Sequence, residues 1–387
     1  MFHWKKFILR TLSYVLVAAI SAFAAIALWG GGYSKLAELE WIIKQNFVGQ
    51  ADMDAARDAA AEAMVDALGD RWSYYISAEE YAAYKERKNN SYVGIGITIT
   101  EREDGAGMDI TGVDPGGSAY EQGILPGDIL VEADGQSLAG MTSSQVKDVV
   151  GGKKGTTVEV AVLRNDEKLT FTLERKSIRV AVATGQLLEG NIGLIRIDNF
   201  NTNCATETID AIEELLEQGA TALIFDVRNN PGGYVNQMTK VLDYLLPEGV
   251  LFREEDHNGK TDQIESDADC LEMPIAVLVN ERSYSAAEFF AAALQEYDWA
   301  SIVGGHTTGK GYYQNTILLL DGSAVNLSTG KYFTPNGVNL TEAGGLTPDV
   351  EVPVDEETDA QIYYETILPA DDPQIQAAIQ TLNKTAD

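Results

Sequence analysis

The sequence predicts a multidomain α/β (α+β) chain: a core on a mixed sheet, a small β domain inserted ahead of it, and an N-terminal helical lead-in. Three observations predict it. Apolar residues recur at helical spacing from Ser34 to Tyr84. Short strands bounded by turn residues follow over about residues 91–178. Beyond them, apolar runs alternate with helical patterns, the strand-helix-strand order of an α/β core. At 387 residues the chain exceeds one ordinary domain.

Residues 1–32 are expected to form a cytoplasmic tip and a membrane anchor. Met1 to Arg10 is basic, and Thr11 to Trp29 is a 19-residue stretch without a charge, close to the length that spans a bilayer. Positive charge ahead of such a stretch puts the amino terminus in the cytoplasm and the rest outside, as a single-pass protein of the cell membrane. The alternative is a signal peptide cleaved near Ala22-Phe23-Ala24, which would leave the protein secreted. Residues 33–90 form the lead-in. Leu36, Leu39, Ile42, Ile43 and Phe47, then Ala56, Ala60, Met64, Val65 and Leu68, mark two helices. Gly69 to Tyr75 breaks the pattern, and Ser77 starts a further short helix.

Residues 91–178 read as the β domain. Its strands include Tyr92 to Ile99, Gly127 to Gly135 and Thr157 to Leu163, with helices at Ser118 to Gln122 and Ser143 to Val150. Glycines at 94 and 96 leave the amides of Val93, Gly94, Ile95, Gly96 and Ile97 open to a terminal carboxylate, beside a strand edge that can accept a peptide. A structural module without a ligand is the other reading.

Residues 179–356 read as the core. Gly193 to Ile197 and Ala222 to Val227 flank a helix from about Glu207 to Gln218. The second strand runs into Arg228-Asn-Asn-Pro-Gly232-Gly233, a turn whose paired glycines leave amides exposed as an oxyanion hole needs, or an ordinary strand-ending turn. Glu254 to Asp269 is acidic and reads as a solvated loop. Pro274 to Val279 is an apolar run fit for a strand buried on both faces. It leads to Ser285 at the start of an apolar helix that runs to about Trp299. Ser285 with Glu288 is a capping box, which explains both residues without chemistry. Residues 357–387 end in an amphipathic helix with Ile375, Ala378, Ile379 and Leu382 on one face, suited to packing.

A serine nucleophile needs a base. His3 lies in the basic N-terminal segment and His257 in an acidic stretch, so His306 is the histidine near Ser285. Lys310 is the other candidate. An ordinary lysine is only about 0.04% neutral at pH 7, but burial away from carboxylates makes the amine usable. Gly309 and Gly311 flank Lys310, and Gln314 offers an uncharged group to orient it. Gly304 to Lys310 also has the spacing of a phosphate-binding loop. There, however, Gly311 stands where Ser or Thr would hold magnesium, and a strand pattern follows where a helix is needed.

The net charge of −31, with 59 acidic residues, excludes nucleic acid as a partner and electrostatic attachment to anionic lipid. Cys204 and Cys270 permit a disulfide without implying one, and no spacing suggests a metal site.

Together, the turn ending at Gly232-Gly233, the helix start at Ser285 to Glu288 and the loop from Gly309 to Gln314 resemble the active-site segments of the carboxyl-terminal processing (tail-specific) serine peptidases. Residues 91–178, with Gly123-Ile-Leu-Pro-Gly-Asp128, resemble a PDZ domain. The resemblance implies a mixed-sheet ββα-type peptidase core with Ser285 as nucleophile, Lys310 as general base, Gln314 orienting the lysine and Glu288 in support. It assigns the oxyanion hole to backbone amides, nominated as those of Gly232, Gly233 and Ala286. Substrates would be proteins or peptides with free C-terminal tails bound by the PDZ domain, with no cofactor or metal, and a homo-oligomer stays open. Some members carry an arginine just before the glycine that precedes the Lys-Lys-Gly turn, where this chain reads Val150-Gly151-Gly152-Lys153-Lys154, so their coupling of tail binding to activation is not implied here. Two alternatives stand: a silent tethered PDZ scaffold, and a peptidase using His306 as base.

Overall fold

The structure is a computed structural model that describes residues 35–385 together with Tyr14, Leu16, Val17 and Ser21. The expected anchor, Thr11 to Trp29, otherwise lies outside the described residues. Among the described residues no helix is long and apolar enough to cross a membrane. The chain divides into two compact units, Met1–Tyr75 and Ile76–Asp387.

In the first unit, helix α1 (35–46) is followed by α2 (Met53–Asp66). Asp52 caps α2 by accepting from the amides of Asp54 and Ala55 at 3.1 and 3.0 Å. Arg57 Nε on α2 donates to Glu40 Oε2 on α1 at 3.2 Å. Strand β1 (Tyr74–Ile76) runs across the boundary between the units.

The second unit opens with α3 (Ala78–Lys88), started by a capping box of Ser77 and Glu80. The β domain follows, with β2 (Ser91–Gly94), β3 (Ile97–Glu101), β4 (Met108–Val113), α4 (Ser118–Glu121), β5 (Ile129–Ala133), β6 (Gln136–Ser137), α5 (Ser143–Val150), β7 (Thr157–Arg164), β8 (Glu167–Glu174) and β9 (Lys176–Arg179). Strands β3-β4-β5-β7-β8 form one sheet, so β3 is an edge strand. A closed apolar core including Ile95, Met108, Leu130, Val146 and Val160 fills the domain. Thr142 and Gln145 cap α5 as a capping box, which is why this helix begins where the sequence predicts. Antiparallel pairing of β2 with β9 closes the domain's two ends onto each other.

The core sheet has the order β10-β11-β12-β15-β16-β19. Its strands are β10 (Ala183–Leu188), β11 (Ile192–Ile197), β12 (Ala222–Asp226), β15 (Ile275–Val279), β16 (Ala300–Gly304) and β19 (Val350–Glu351), all parallel except β10. The alternation of side chains decides what covers each face. Leu223, Phe225, Val277 and Val279 face α6 (Cys204–Glu217), α7 (Val235–Leu245) and α8 (Ala286–Glu296). Ile224, Ala276 and Leu278 face α11 (Pro373–Thr385). Both apolar runs are thus buried on two sides, as their composition predicts. Helix α8 is buried from Ala286 to Leu294 because its alanines let it sit between the sheet and the elements beyond it. The short α9 (Leu340–Ala343) and α10 (Glu356–Tyr363) complete the helices.

A second sheet departs from expectation. The acidic stretch read as a solvated loop is a β-hairpin of β13 (Gly249–Asp256) and β14 (Thr261–Ser266). Its turn holds Gly259 at φ 77°, and Asp256 Oδ1 accepts from the amides of Asn258 and Lys260. The exposed edge strand β14 keeps its charges in water, while Phe252 of β13 packs edge-on against Phe289 of α8 at 5.4 Å. Strand β13 also pairs with β18 (Ala324–Phe333), which pairs with β17 (Tyr312–Leu318). Cys204 and Cys270 are both free thiols.

A buried ion cluster locks the end of β12. Arg228 donates to both Asp226 oxygens, at 2.9 and 2.6 Å, and its Nη1 lies 2.9 Å from Asp372 Oδ2. The other Asp372 oxygen caps α11, accepting from Gln374 and Ile375 at 2.9 and 3.2 Å. Burial pushes the Asp226 carboxyl up, but the Arg228 guanidinium more than offsets this and holds it below the usual value. Arg228→Met therefore strands two buried carboxylates and should destabilise the fold by about 3–5 kcal/mol in denaturant unfolding. Because the Asp226 carboxyl is depressed, its contribution is complete at neutral pH and is lost as pH falls through the folded value. The stability gap between wild type and variant should shrink below about pH 4. A gap under 1 kcal/mol, or one that widens in acid, would contradict this account.

Candidate active site

The loops at the carboxyl ends of β12 and β15 carry Gly232-Gly233 and Ser285, in the crevice where open α/β sheets place their sites, while Lys310 lies in the loop after β16 and Gln314 on β17. Side chains stitch the two loops together. Asn280 and Asn229 exchange bonds, Asn229 N to Asn280 Oδ1 and Asn280 Nδ2 to Asn229 Oδ1, each at 2.9 Å. Ser283 Oγ donates to Val227 O at 2.7 Å, and Tyr284 N to Asn230 O at 3.1 Å.

Ser285 ends the second loop and is 8% exposed. Its backbone sits at φ 59°, ψ −127°, a left-handed conformation that costs a non-glycine residue free energy and persists only where neighbours enforce it. Gly232 is one of those neighbours. A Cβ built there would lie 2.8 Å from Ser285 Cβ, Ala286 N and Tyr284 O alike, so only glycine lets the turn approach. Gly233 is equally confined, since its Cβ would meet the Phe200 carbonyl carbon at 2.3 Å.

The three nominated amides are not equivalent. Gly232 N already donates to Asn230 Oδ1 at 2.8 Å. Among the described residues, the amides of Gly233 and Ala286 have no hydrogen-bond acceptor. They flank Ser285, one across the turn and one at the first residue of α8.

Glu288 does more than cap α8. Fully buried, its carboxylate accepts from Ser285 N at 2.9 Å and Lys310 N at 2.8 Å on Oε2. On Oε1 it accepts from Gly309 N at 2.6 Å and Thr307 Oγ1 at 2.5 Å. One carboxylate thus holds the backbones of both Ser285 and Lys310. The Lys310 loop is fixed from its other side as well. Thr341 Oγ1 accepts from Gly311 N at 2.7 Å and donates to Gly309 O at 3.0 Å, and Asn339 Nδ2 donates to Gly311 O at 3.0 Å. Gly309, at φ 82°, has no room for a Cβ against Gly345 N.

The Lys310 amine lies 5.6 Å from the ring centroid of Tyr284, the residue before Ser285. Burial raises the Tyr284 phenol above its usual pKa, a sign of restricted solvent on that side of the amine. On β17, Gln314 Nε2 donates to Tyr312 O at 3.0 Å and Ser328 Oγ at 3.1 Å, which spends its donors and leaves Oε1 as acceptor. His306 is exposed; its Nδ1 bonds to Thr307 O at 3.0 Å, and its ring abuts Gly345.

The residues that sequence reasoning passed over are the positioning ones: Asn230, Thr307, Asn339 and Thr341. Asn230, Thr307 and Asn339 lie in polar turns and Thr341 in the short α9, where such residues are ordinary, and only tertiary contacts distinguish them.

In the β domain, Gly96 at φ 84° lets its loop pass Gly117, whose Cα would be 2.7 Å from an added Cβ. The amides of Ile95 and Gly96 have no acceptor among the described residues, while Gly94 is paired with Lys176 in the β2–β9 ladder. Beyond that loop, the free edge of β3 lies beside α5, joined by Ser143 N to Glu101 Oε1 at 2.7 Å.

Residues 191–352 match the model of peptidase family S41, and residues 93–174 match that of the PDZ domain. The chain is similar to a probable CtpA-like serine protease of Staphylococcus aureus, with 30% identity over 323 residues, covering 82% of this chain and 64% of the relative. It therefore spans less than two thirds of that relative's length. Among solved structures, a putative S41 protease from Bacteroides fragilis has a TM-score of 0.51 at 15% identity, covering 84% of this chain and 90% of that one. A photosystem II D1 C-terminal processing protease has a TM-score of 0.49 at 28% identity, covering 87% and 94%. The chain thus joins a segment that matches peptidase family S41, residues 191–352, to one that matches the PDZ domain, residues 93–174, and is similar over most of its length to CtpA-like serine proteases.

Proposed function

We propose that this chain is a membrane-anchored, extracytoplasmic serine endopeptidase with a Ser285–Lys310 dyad, acting on protein tails delivered by its PDZ domain. The observation that carries the reading is the buried Glu288 carboxylate, which accepts from the backbones of Ser285 and Lys310 together. Neutral Lys310 takes the Ser285 hydroxyl proton as Oγ attacks a peptide carbonyl, and Gln314 Oε1 orients the amine. The carbonyl oxygen becomes an oxyanion bound by the amides of Gly233 and Ala286, which are unspent, while Gly232 serves by its close approach. Protonated Lys310 gives its proton to the leaving amine as the C–N bond breaks. Water, deprotonated by the same lysine, then releases the acyl group from Ser285.

In this reading, the open edge of β3 takes the tail as an added strand, and the free amides of Ile95 and Gly96 take its carboxylate. The uncharged stretch from Thr11 to Trp29 supplies the anchor.

Incubated with an unfolded protein, wild type should cleave it, and Ser285→Ala and Lys310→Met should each lower kcat/KM by at least about 10³-fold. His306→Ala should keep its activity. Equal cleavage by Ser285→Ala would reject the nucleophile, and loss only in His306→Ala would reassign the base.

Glu288→Gln separates clamping from simple capping. A carboxamide must turn its NH2 toward at least one of the donors now facing the carboxylate. The variant should lose about 1–3 kcal/mol of stability and far more activity than the melting shift explains. Wild-type kcat/KM in a folded Glu288→Gln enzyme would show that the clamp has no part in catalysis.

A further inference from the structure

Between the Gly232-Gly233 turn and the strand carrying Gln314 lies a cluster that the proposed mechanism does not use. Helix α3 ends at Lys88, whose Nζ sits 6.0 Å from the Tyr84 ring centroid and 5.7 Å from that of Tyr234. Tyr234 directly follows Gly233, and its amide donates to Phe200 O at 2.7 Å. The Lys88 carbonyl accepts from Thr202 Oγ1 at 3.1 Å, so lysine and tyrosine are anchored on the same short loop. On the other side, Tyr84 Oη is 2.8 Å from Thr316 Oγ1, two residues beyond Gln314 on β17. Tyr81 stacks on Tyr84 at 6.0 Å and 16°.

These contacts place an amine inside a rim of phenols bordering the proposed catalytic groups. A lysine in the last turn of a helix needs no further explanation from the dipole alone. Its surroundings do. Burial lowers the Lys88 pKa. Among the described residues its Nζ makes no ion pair and no hydrogen bond, in a chain with 59 acidic residues and only 28 basic ones. A charge left without an anionic partner in a half-dry place gains most from a ligand that brings one; the Tyr234 hydroxyl can donate to the same group, while Tyr84, which donates to Thr316 because Thr316 gives its own proton to Asn326, walls the site with its ring.

We infer that Lys88, with Tyr84 and Tyr234, forms a carboxylate-binding subsite at the edge of the catalytic cleft that selects the segment presented for cleavage. The inference rests on the peptidase reading. The carboxylate is either the free terminus of the bound chain or an Asp or Glu side chain. Lys88 acts here as a specificity residue with no part in bond breaking.

The test uses a peptide that the full chain cleaves, synthesised with a free acid or an amidated terminus and, separately, with Glu or Gln beside the scissile bond. In wild type, kcat/KM should favour one carboxylate form over its uncharged counterpart by about tenfold or more. The pair that shows the preference identifies the source. Lys88→Met should bring that ratio close to one, and Lys88→Arg should restore most of it. A wild-type enzyme indifferent to both pairs overturns the inference without recourse to any variant. A preference that persists unchanged in Lys88→Met also overturns it, by assigning the discrimination to the PDZ groove. Failure of the underlying peptidase reading is seen separately, as cleavage that survives Ser285→Ala.

Discussion

The buried carboxylate of Glu288 is the constraint on which the site depends. Four donors converge on it from three places in the chain: the amide of Ser285, the hydroxyl of Thr307, and the amides of Gly309 and Lys310. A buried carboxylate is costly unless hydrogen bonds replace those it would make to solvent, and these four do so. Its donors are in turn fixed relative to one another to within hydrogen-bond tolerance. The strained backbone of Ser285, the glycine loop around Lys310 and the first turn of α8 thus share one anchor. A helix cap has been extended into a clamp.

The scaffold supplies the second fixed point. The parallel strands β12 and β15 end side by side, each buried on both faces, so their following loops cannot drift apart. Arg228 then ties the turn after β12 to the N-cap of α11 through Asp226 and Asp372. The position of Gly232 against Ser285, too close for any side chain, is the outcome of these constraints acting together.

Much of this was legible in the sequence where one local pattern had one physical solution. The apolar runs of β12 and β15 read as buried strands, and Ser77 marked the start of α3. Ser285 with Glu288 was legible as a capping pair, but the remaining partners of Glu288 come from residues 307–310, which no local pattern connects to it. The hairpin of β13 and β14 was misread as a loop because its charged residues dominate the composition. An exposed edge strand tolerates such charges, and the Asn258-Gly259 turn was the overlooked sign. Which of Gly232 and Gly233 has a free amide was illegible in principle, since it depends on where the Asn230 side chain turns.

The most direct measurement of the central claim is covalent labelling of the full chain by a serine-directed phosphonate, located by peptide mass spectrometry. A single adduct on Ser285 should form in wild type and all but vanish in Lys310→Met with the fold intact. An adduct on another residue, or one that forms on Ser285 at the wild-type rate without the lysine, would contradict the account.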